Sequence, residues 1–174
     1  GGVGLAAVEL GKAMGAKVIA AASSEEKLQT CKEHGADEIL LYPSGNMDRD
    51  QQKKLSDDIK ALTGGEGADV VYDPVGGDYA EPALRATAWE GRYLVVGFAA
   101  GDIPKIPLNL ALLKGCQIVG VFWGAFKGRE VEAHNANVDE LLKLYGDGHL
   151  KPHISSIYSL EEGSKAISDL AERK

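Results

Sequence analysis

Glycines, and the backbone amides they leave uncovered, are the groups in this sequence best placed to do chemistry. Gly1-Gly2-Val3-Gly4 runs straight into Leu5-Ala6-Ala7-Val8-Glu9-Leu10-Gly11. Gly1 and Gly4 have the spacing of the second and third glycines of a Gly-x-Gly-x-x-Gly turn, which brings backbone close to a pyrophosphate. The helix that follows has unbonded N–H groups in its first turn, and these point at negative charge. Small residues at Gly4, Ala6 and Ala7 would let that helix lie close against a sheet. The chemistry on offer is the binding of an anionic dinucleotide by main-chain donors. The first glycine, and the buried strand it should follow, would lie before Gly1. The sequence is therefore expected to be an internal piece of a longer protein, with an unfilled slot at its sheet centre.

A second set of groups bears on which dinucleotide. An NAD-preferring site usually ends its second strand with Asp or Glu, which holds the adenosine ribose. Here that position is Ala22, followed by Ser23 and Ser24, with Lys27 one turn into a helix. Without the carboxylate, hydroxyls, helix amides and an ammonium suit a 2′-phosphate. Tyr42, at the end of the neighbouring strand, adds a hydroxyl. The plainer reading makes Ser23 an N-cap and Lys27 a solvated helix residue; the missing acid tips the choice to NADPH over NADH. Asp73, before Pro74, either holds a loop by hydrogen bonds or touches the ligand. No Gly-x-Ser-x-Gly elbow is present, and no catalytic residue is assigned. His149 and His153 flank Lys151-Pro152, where the proline argues against a helical pair of metal ligands. They read as surface histidines, and Cys31 and Cys116 as buried thiols.

The elements that must position these groups alternate. A helix over Gly4–Met14 stops at Gly15. Lys17–Ala22 is a strand, Ser23 or Ser24 caps a helix reaching His34 (Ser23-x-x-Glu26 has capping-box spacing), and Asp37–Tyr42 is a strand. Gln51–Leu62 is a helix with Leu55, Ile59 and Leu62 on one face. Ala68–Asp73 is a strand, Asp78–Trp89 a helix, and Gly91–Gly97 a strand. After an irregular segment come a short helix near Leu108–Lys114, a strand Cys116–Trp123, and a helix near Arg129–Tyr145 with Val138, Leu141, Leu142 and Tyr145 on one stripe. Leu160–Glu172 is the last helix. This alternation predicts an α/β fold: a doubly wound parallel sheet (Rossmann) lacking its first, central strand. Ligands in such folds lie across the C-terminal strand ends. Those ends are Gly1–Gly4, Ala22–Ser24, Tyr42–Gly45, Asp73–Gly77, Gly97–Gly101 and Phe122–Ala125.

Bulk properties exclude several classes. At 174 residues with 44% hydrophobic content, the chain has the size and composition of one globular domain. A formal net charge of −7 without a Lys/Arg cluster argues against nucleic acid or an anionic membrane as partner. No apolar run approaches the ~20 residues of a membrane span. Two distant cysteines form neither a disulfide framework nor a metal spacing. The expected compartment is the cytoplasm, with a mitochondrial address left open because a targeting segment would precede Gly1.

The ordered set Gly-Gly-Val-Gly-Leu-Ala-Ala, Ala-Ser-Ser-Glu-Glu-Lys, Gly-Ala-Asp, Asp-Val-Val-Tyr-Asp-Pro-Val-Gly-Gly, Gly-Arg-Tyr-Leu-Val-Val-Gly-Phe-Ala-Ala-Gly, Gly-Val-Phe-Trp-Gly and Leu-Lys-Pro-His-Ile resembles the cofactor half of the medium-chain dehydrogenase/reductase superfamily. Within it, the chain resembles the zinc-free NADPH:quinone oxidoreductase (zeta-crystallin-like) branch. The resemblance implies that residues 1–174 are an incomplete dinucleotide-binding domain, with the N-terminal catalytic domain and the first and final strands outside it. It implies cofactor contacts at Gly1, Gly2, Val3 and Gly4, a 2′-phosphate pocket at Ser23, Lys27 and Tyr42, and a loop beside ribose and phosphates at Val75 and Gly76. Gly97 and Phe98 would lie near the nicotinamide ribose, and Phe122 and Trp123 beside the nicotinamide or in core or dimer packing. The implied reaction is hydride transfer from NADPH to a quinone or conjugated carbonyl, in a homodimer paired through the last strand. Alternatives are a non-catalytic NAD(P)H-binding sensor or structural crystallin-like protein, an enoyl-thioester reductase, and a zinc alcohol dehydrogenase domain.

Overall fold

Parallel pairing divides the strands into two sheets. In the computed structural model, which describes residues 1–172, β1 (Ile19–Ala22) pairs with β2 (Glu38–Leu41), with Ile19 opposite Glu38 and Ala22 opposite Leu41. The other sheet has the order β3 (Ala68–Asp73), β4 (Thr87–Val95), β5 (Gln117–Gly120), all parallel. Among the described residues β1 and β3 are not paired, and Val70 and Tyr72 on β3 are 49% and 40% exposed. The order β2–β1, then β3–β4–β5, is that of a doubly wound sheet interrupted where its first strand would lie.

Helices connect the strands, as the parallel topology requires. They are α1 (Gly2–Ala13), α2 (Glu25–Glu33), α3 (Arg49–Leu62), α4 (Ala80–Arg85), α5 (Asn109–Lys114), α6 (Trp123–Arg129), α7 (Val131–Gly146) and α8 (Gly163–Ala171). Among the described residues, three separate clusters form the core. Val8, Ala20 and Ala36 seal α1 against β1. Leu40, Met47 and Leu55 lie under α3, and Ala80, Leu84, Tyr93 and Leu110 join α4 and α5 to β4. Cys31 and Cys116 pack at the margins of two of these clusters, and burial pushes the Cys31 thiol up.

The two sheets are joined at their C-terminal ends. Tyr79 donates its hydroxyl to the carbonyls of Pro43 and Gly45, each at 3.0 Å, and stacks on Tyr42 with ring centroids 4.6 Å apart. The Met47 amide donates to Asp78 Oδ2 at 2.9 Å. The loops after β2 and β3 therefore meet on the same side of the molecule.

Of the two N-cap candidates for α2, Ser24 is the one used; its hydroxyl accepts the Lys27 amide at 3.4 Å. Several other boundaries differ from the sequence expectation. Helix α3 begins earlier than Gln51, because Asp48 and Gln51 form a reciprocal capping box. The helix expected over Asp78–Trp89 ends at Arg85, and Trp89 belongs to β4. A positive φ of 59° at Glu90 and a register shift opposite Ala68–Val70 let the strand start at Thr87. Trp123 opens α6 instead of closing a strand. Gly11, not Gly4, makes the close helix–strand approach: a Cβ there would meet Val18 Cγ2 at 2.9 Å, while nothing lies within 4 Å of one at Gly4. The stripe Val138, Leu141, Leu142, Tyr145 is 37–63% exposed.

Asp37 ties the first half together. Its carboxylate accepts the Lys12 ammonium at 2.8 Å and the Val18 amide at 2.7 Å, and the Lys12 hydrogen bond, then the Val18 amide, hold its pKa below the usual Asp range. A depressed folded-state pKa gives stability that is present above the unfolded value of about 3.9 and lost as pH falls below it. Asp37→Asn should therefore remove part of the acid-side fall in stability, read from denaturant midpoints between about pH 5 and 2; an unchanged acid limb would contradict this role.

Candidate functional site

Each parallel strand ends on the same edge, and the loops leaving that edge carry the residues singled out from the sequence. The N-terminus of α1 sits there too, because the short turn Met14–Val18 reverses α1 into β1. Gly1 is the N-cap with no side-chain cap, and Gly1, Gly2 and Val3 are exposed. No atom lies within 4 Å of a Cβ placed on Gly1, Gly2 or Gly4. Among the described residues, the first turn of α1 is therefore neither capped nor covered by a side chain.

At the end of β1, Ser23 is free of capping duty because Ser24 performs it. Ser23 and Tyr42 line one open pocket of about 400 Å³, together with Pro43, Ser44, Gln51 and Lys54. Lys27 is exposed one turn into α2 and outside that lining. Among the described residues its ammonium enters no ion pair. Lys54, which sequence spacing did not single out, does line the pocket, paired with Asp58 at 2.5 Å. Burial, then the neighbouring Tyr79 and the Asp73 charge, push the Tyr42 phenol up, so it stays a neutral donor.

The loop after β3 is built around Asp73. Its Oδ1 accepts the amides of Val75 at 2.8 Å and Gly76 at 2.9 Å, and its Oδ2 accepts the Tyr93 hydroxyl. Of the two roles the sequence left open for Asp73, loop holding is the one seen. Gly76 is buried, with φ 68° and ψ −143°, and a Cβ there would meet Phe98 Cδ1 at 2.9 Å. Phe98 therefore lies across Gly76. Gly97 packs on the Pro74 carbonyl, whose oxygen would lie 3.3 Å from a Cβ at that position. Phe98 itself is 40% exposed at the same edge. Phe122 caps α6 and is 78% exposed, and Trp123 is 59% exposed with the Lys127 ammonium 4.5 Å from its ring centroid. Neither belongs to the three core clusters.

Parallel strands ending in glycine loops, with an open helix N-terminus beside them, define a dinucleotide-binding fold of the doubly wound type. The chain belongs to the zinc-binding dehydrogenase family, whose model matches residues 2–142. It is 39% identical to the quinone oxidoreductase-like protein 2 homolog of Nematostella vectensis, over 100% of this chain and 46% of that protein. It is 37% identical to quinone oxidoreductase-like protein 2 of Bos taurus, over 100% of this chain and 48% of that protein. The crystal structure of Escherichia coli quinone oxidoreductase complexed with NADPH superposes with a TM-score of 0.81 at 28% identity, over 99% of this chain and 51% of that one. The chain thus spans about half the length of the relatives it matches. Among the described residues no cluster of three or more His, Cys, Asp or Glu is placed to hold a metal ion. No helix among them is long and apolar enough to cross a membrane.

At Gly76, a side chain would have to adopt a backbone region that is essentially glycine-only and displace Phe98. Gly76→Ala should lower stability by about 1–3 kcal/mol, read from the denaturant midpoint; a change near zero would mean the loop can relax around a methyl group.

Proposed function

We propose that this chain is the cofactor-binding domain of an NADPH-dependent oxidoreductase of the quinone reductase type. The observation that carries the reading is the set of uncapped, uncovered amides at Gly2–Gly4, on the same edge as a second-strand end that lacks an acid. The relatives named quinone oxidoreductases support it, as does the NADPH named with the Escherichia coli structure. The amides of the first turn of α1 receive the pyrophosphate. Ser23, Tyr42 and Lys27 surround the 2′-phosphate, where a carboxylate at position 22 would repel it. Val75 and Gly76 lie beside the cofactor's ribose and phosphates, Gly97 and Phe98 near the nicotinamide ribose, and Phe122 and Trp123 beside the nicotinamide. Bound NADPH supplies the hydride, and these residues hold and orient it.

The substrate in this reading is a quinone or another conjugated carbonyl, such as an enone or aldehyde. The rest of its cleft, including the catalytic domain, lies outside residues 1–174. The slot between β1 and β3 takes a parallel strand preceding Gly1, which would satisfy both unpaired strand edges. The free edge of β5 pairs with a second copy to form a homodimer, and the protein works in the cytoplasm.

The test compares NADPH with NADH in titrations of the full-length protein. NADPH should bind more tightly, and Lys27→Ala should weaken NADPH about tenfold while leaving NADH nearly unchanged. Tighter NADH binding, or an equal loss for both, would remove the 2′-phosphate assignment.

A further inference from the structure

Tyr93 sits on β4, 4% exposed, packed among Ala80, Leu84 and Leu110. Its hydroxyl is committed to a single partner, Asp73 Oδ2, across the β3–β4 pair. Asp73 is in turn the hub of two loops. Its carboxylate holds the Val75 and Gly76 amides. Its main-chain carbonyl accepts the amides of Val96 at 3.0 Å and Gly97 at 3.3 Å, at the exit of β4. Pro74 and Val75 continue the link, accepting the amides of Ala99 at 3.1 Å and Ala100 at 2.9 Å. The loops after β3 and β4 are therefore one hydrogen-bonded unit, with Phe98 laid across Gly76.

A carboxylate with three donors keeps its place only while all three are present. Charge-assisted bonds of this kind are about twice as strong as neutral ones. Burial, the hydrogen bond to Asp73 and the Asp73 charge all push the Tyr93 phenol up, so it remains a donor over the working pH range. Both loop amides are turned onto Asp73. Val75, half-buried, and the exposed Phe98 ring both take their positions from this hub.

We propose that Tyr93 is a positioning residue: acting through Asp73, it sets the paired 73–77 and 97–101 loops so that Val75 and Phe98 meet the nicotinamide half of the dinucleotide. This rests on the NADPH reading given above, but it assigns a role to a residue that never touches the cofactor.

The experiment uses the full-length protein and its Tyr93→Phe variant, which keeps the ring and removes only the hydroxyl. In the variant, kcat/KM for NADPH should fall about tenfold, the range set by losing one hydrogen bond to a charged group. Affinity for adenosine 2′,5′-bisphosphate, which occupies only the adenosine half, should stay within about twofold. A general loss of structure would lower both. In an Asp73→Asn background, Tyr93→Phe should add little further loss, since the two act as one unit. If wild-type protein does not bind NADPH, the cofactor reading fails. If it does bind and Tyr93→Phe turns over NADPH at the wild-type kcat/KM, or loses both ligands equally, the positioning role fails. Should Tyr93→Phe not fold, hydrogen exchange in the wild type decides: slow exchange at Val75 and Gly76 supports the hub, and exchange as fast as in an open loop overturns it.

Discussion

A helix cannot bond the N–H groups of its own first turn, and α1 leaves them uncapped at the edge where the described strands end. That combination is what the rest of the molecule serves. The Glu9 carboxylate, buried on α1, accepts from His34 Nδ1 at 2.7 Å and from the Lys151 amide at 3.1 Å. Val8 on the same helix packs on Ala20 and Ala36, and Lys12 reaches Asp37. The helix is thus anchored along its length while its N-terminus is left uncapped by any side chain. An uncapped end has unmet hydrogen-bonding capacity, which an anion meets better than water does because the helix dipole adds to the amide donors.

Around this end, β1–β2 and β3–β5 form separate sheets. Two clusters of buried side chains lie with the first and one with the second, and the halves meet through α3 packed on α4, Tyr79 on the Pro43–Gly45 turn, Tyr42 on Tyr79, and Met47 on Asp78. The last three of these lie at the loop edge. The strands of the two halves therefore keep their C-terminal ends aligned even though β1 and β3 do not pair. Further from the edge, α7 and α8 present Leu142, Tyr145, Ile167 and Leu170 to solvent, each at least 60% exposed. Helices with an apolar stripe normally bury it.

Much of this was legible in the chain. The strand Ala68–Asp73 is bounded by Gly67 and Pro74, punctuation that local rules read well, and it falls at the expected residues. The alternation of strand and helix dictated the parallel topology, and with it the edge where the strand-end loops gather. Local rules failed where tertiary pairing won. Trp89 looks like the end of a helix, yet Thr87–Glu90, with Thr87 and Ala88 buried, is drawn into β4 beside Ala68, whose amide donates to the Ala86 carbonyl at 2.8 Å. Trp123 follows a β-rich run, but β5 stops at Gly120, where its pairing with Val95 ends. The Asp73–Tyr93 bond joins residues twenty positions apart, and nothing in spacing signals it. Lys54 was hidden for a similar reason: only the packing of α3 under β2 brings it to the pocket that holds Ser23 and Tyr42.

In the function proposed above, main-chain donors at Gly2, Val3 and Gly4 receive the cofactor's diphosphate. An isotope-labelled sample of the full-length protein, titrated with NADPH and followed by amide chemical shifts, tests it most directly. The three amides should move together and saturate at the concentration that saturates binding measured by cofactor fluorescence. If NADPH binds while those amides stay where they were, the diphosphate lies elsewhere and the account is wrong.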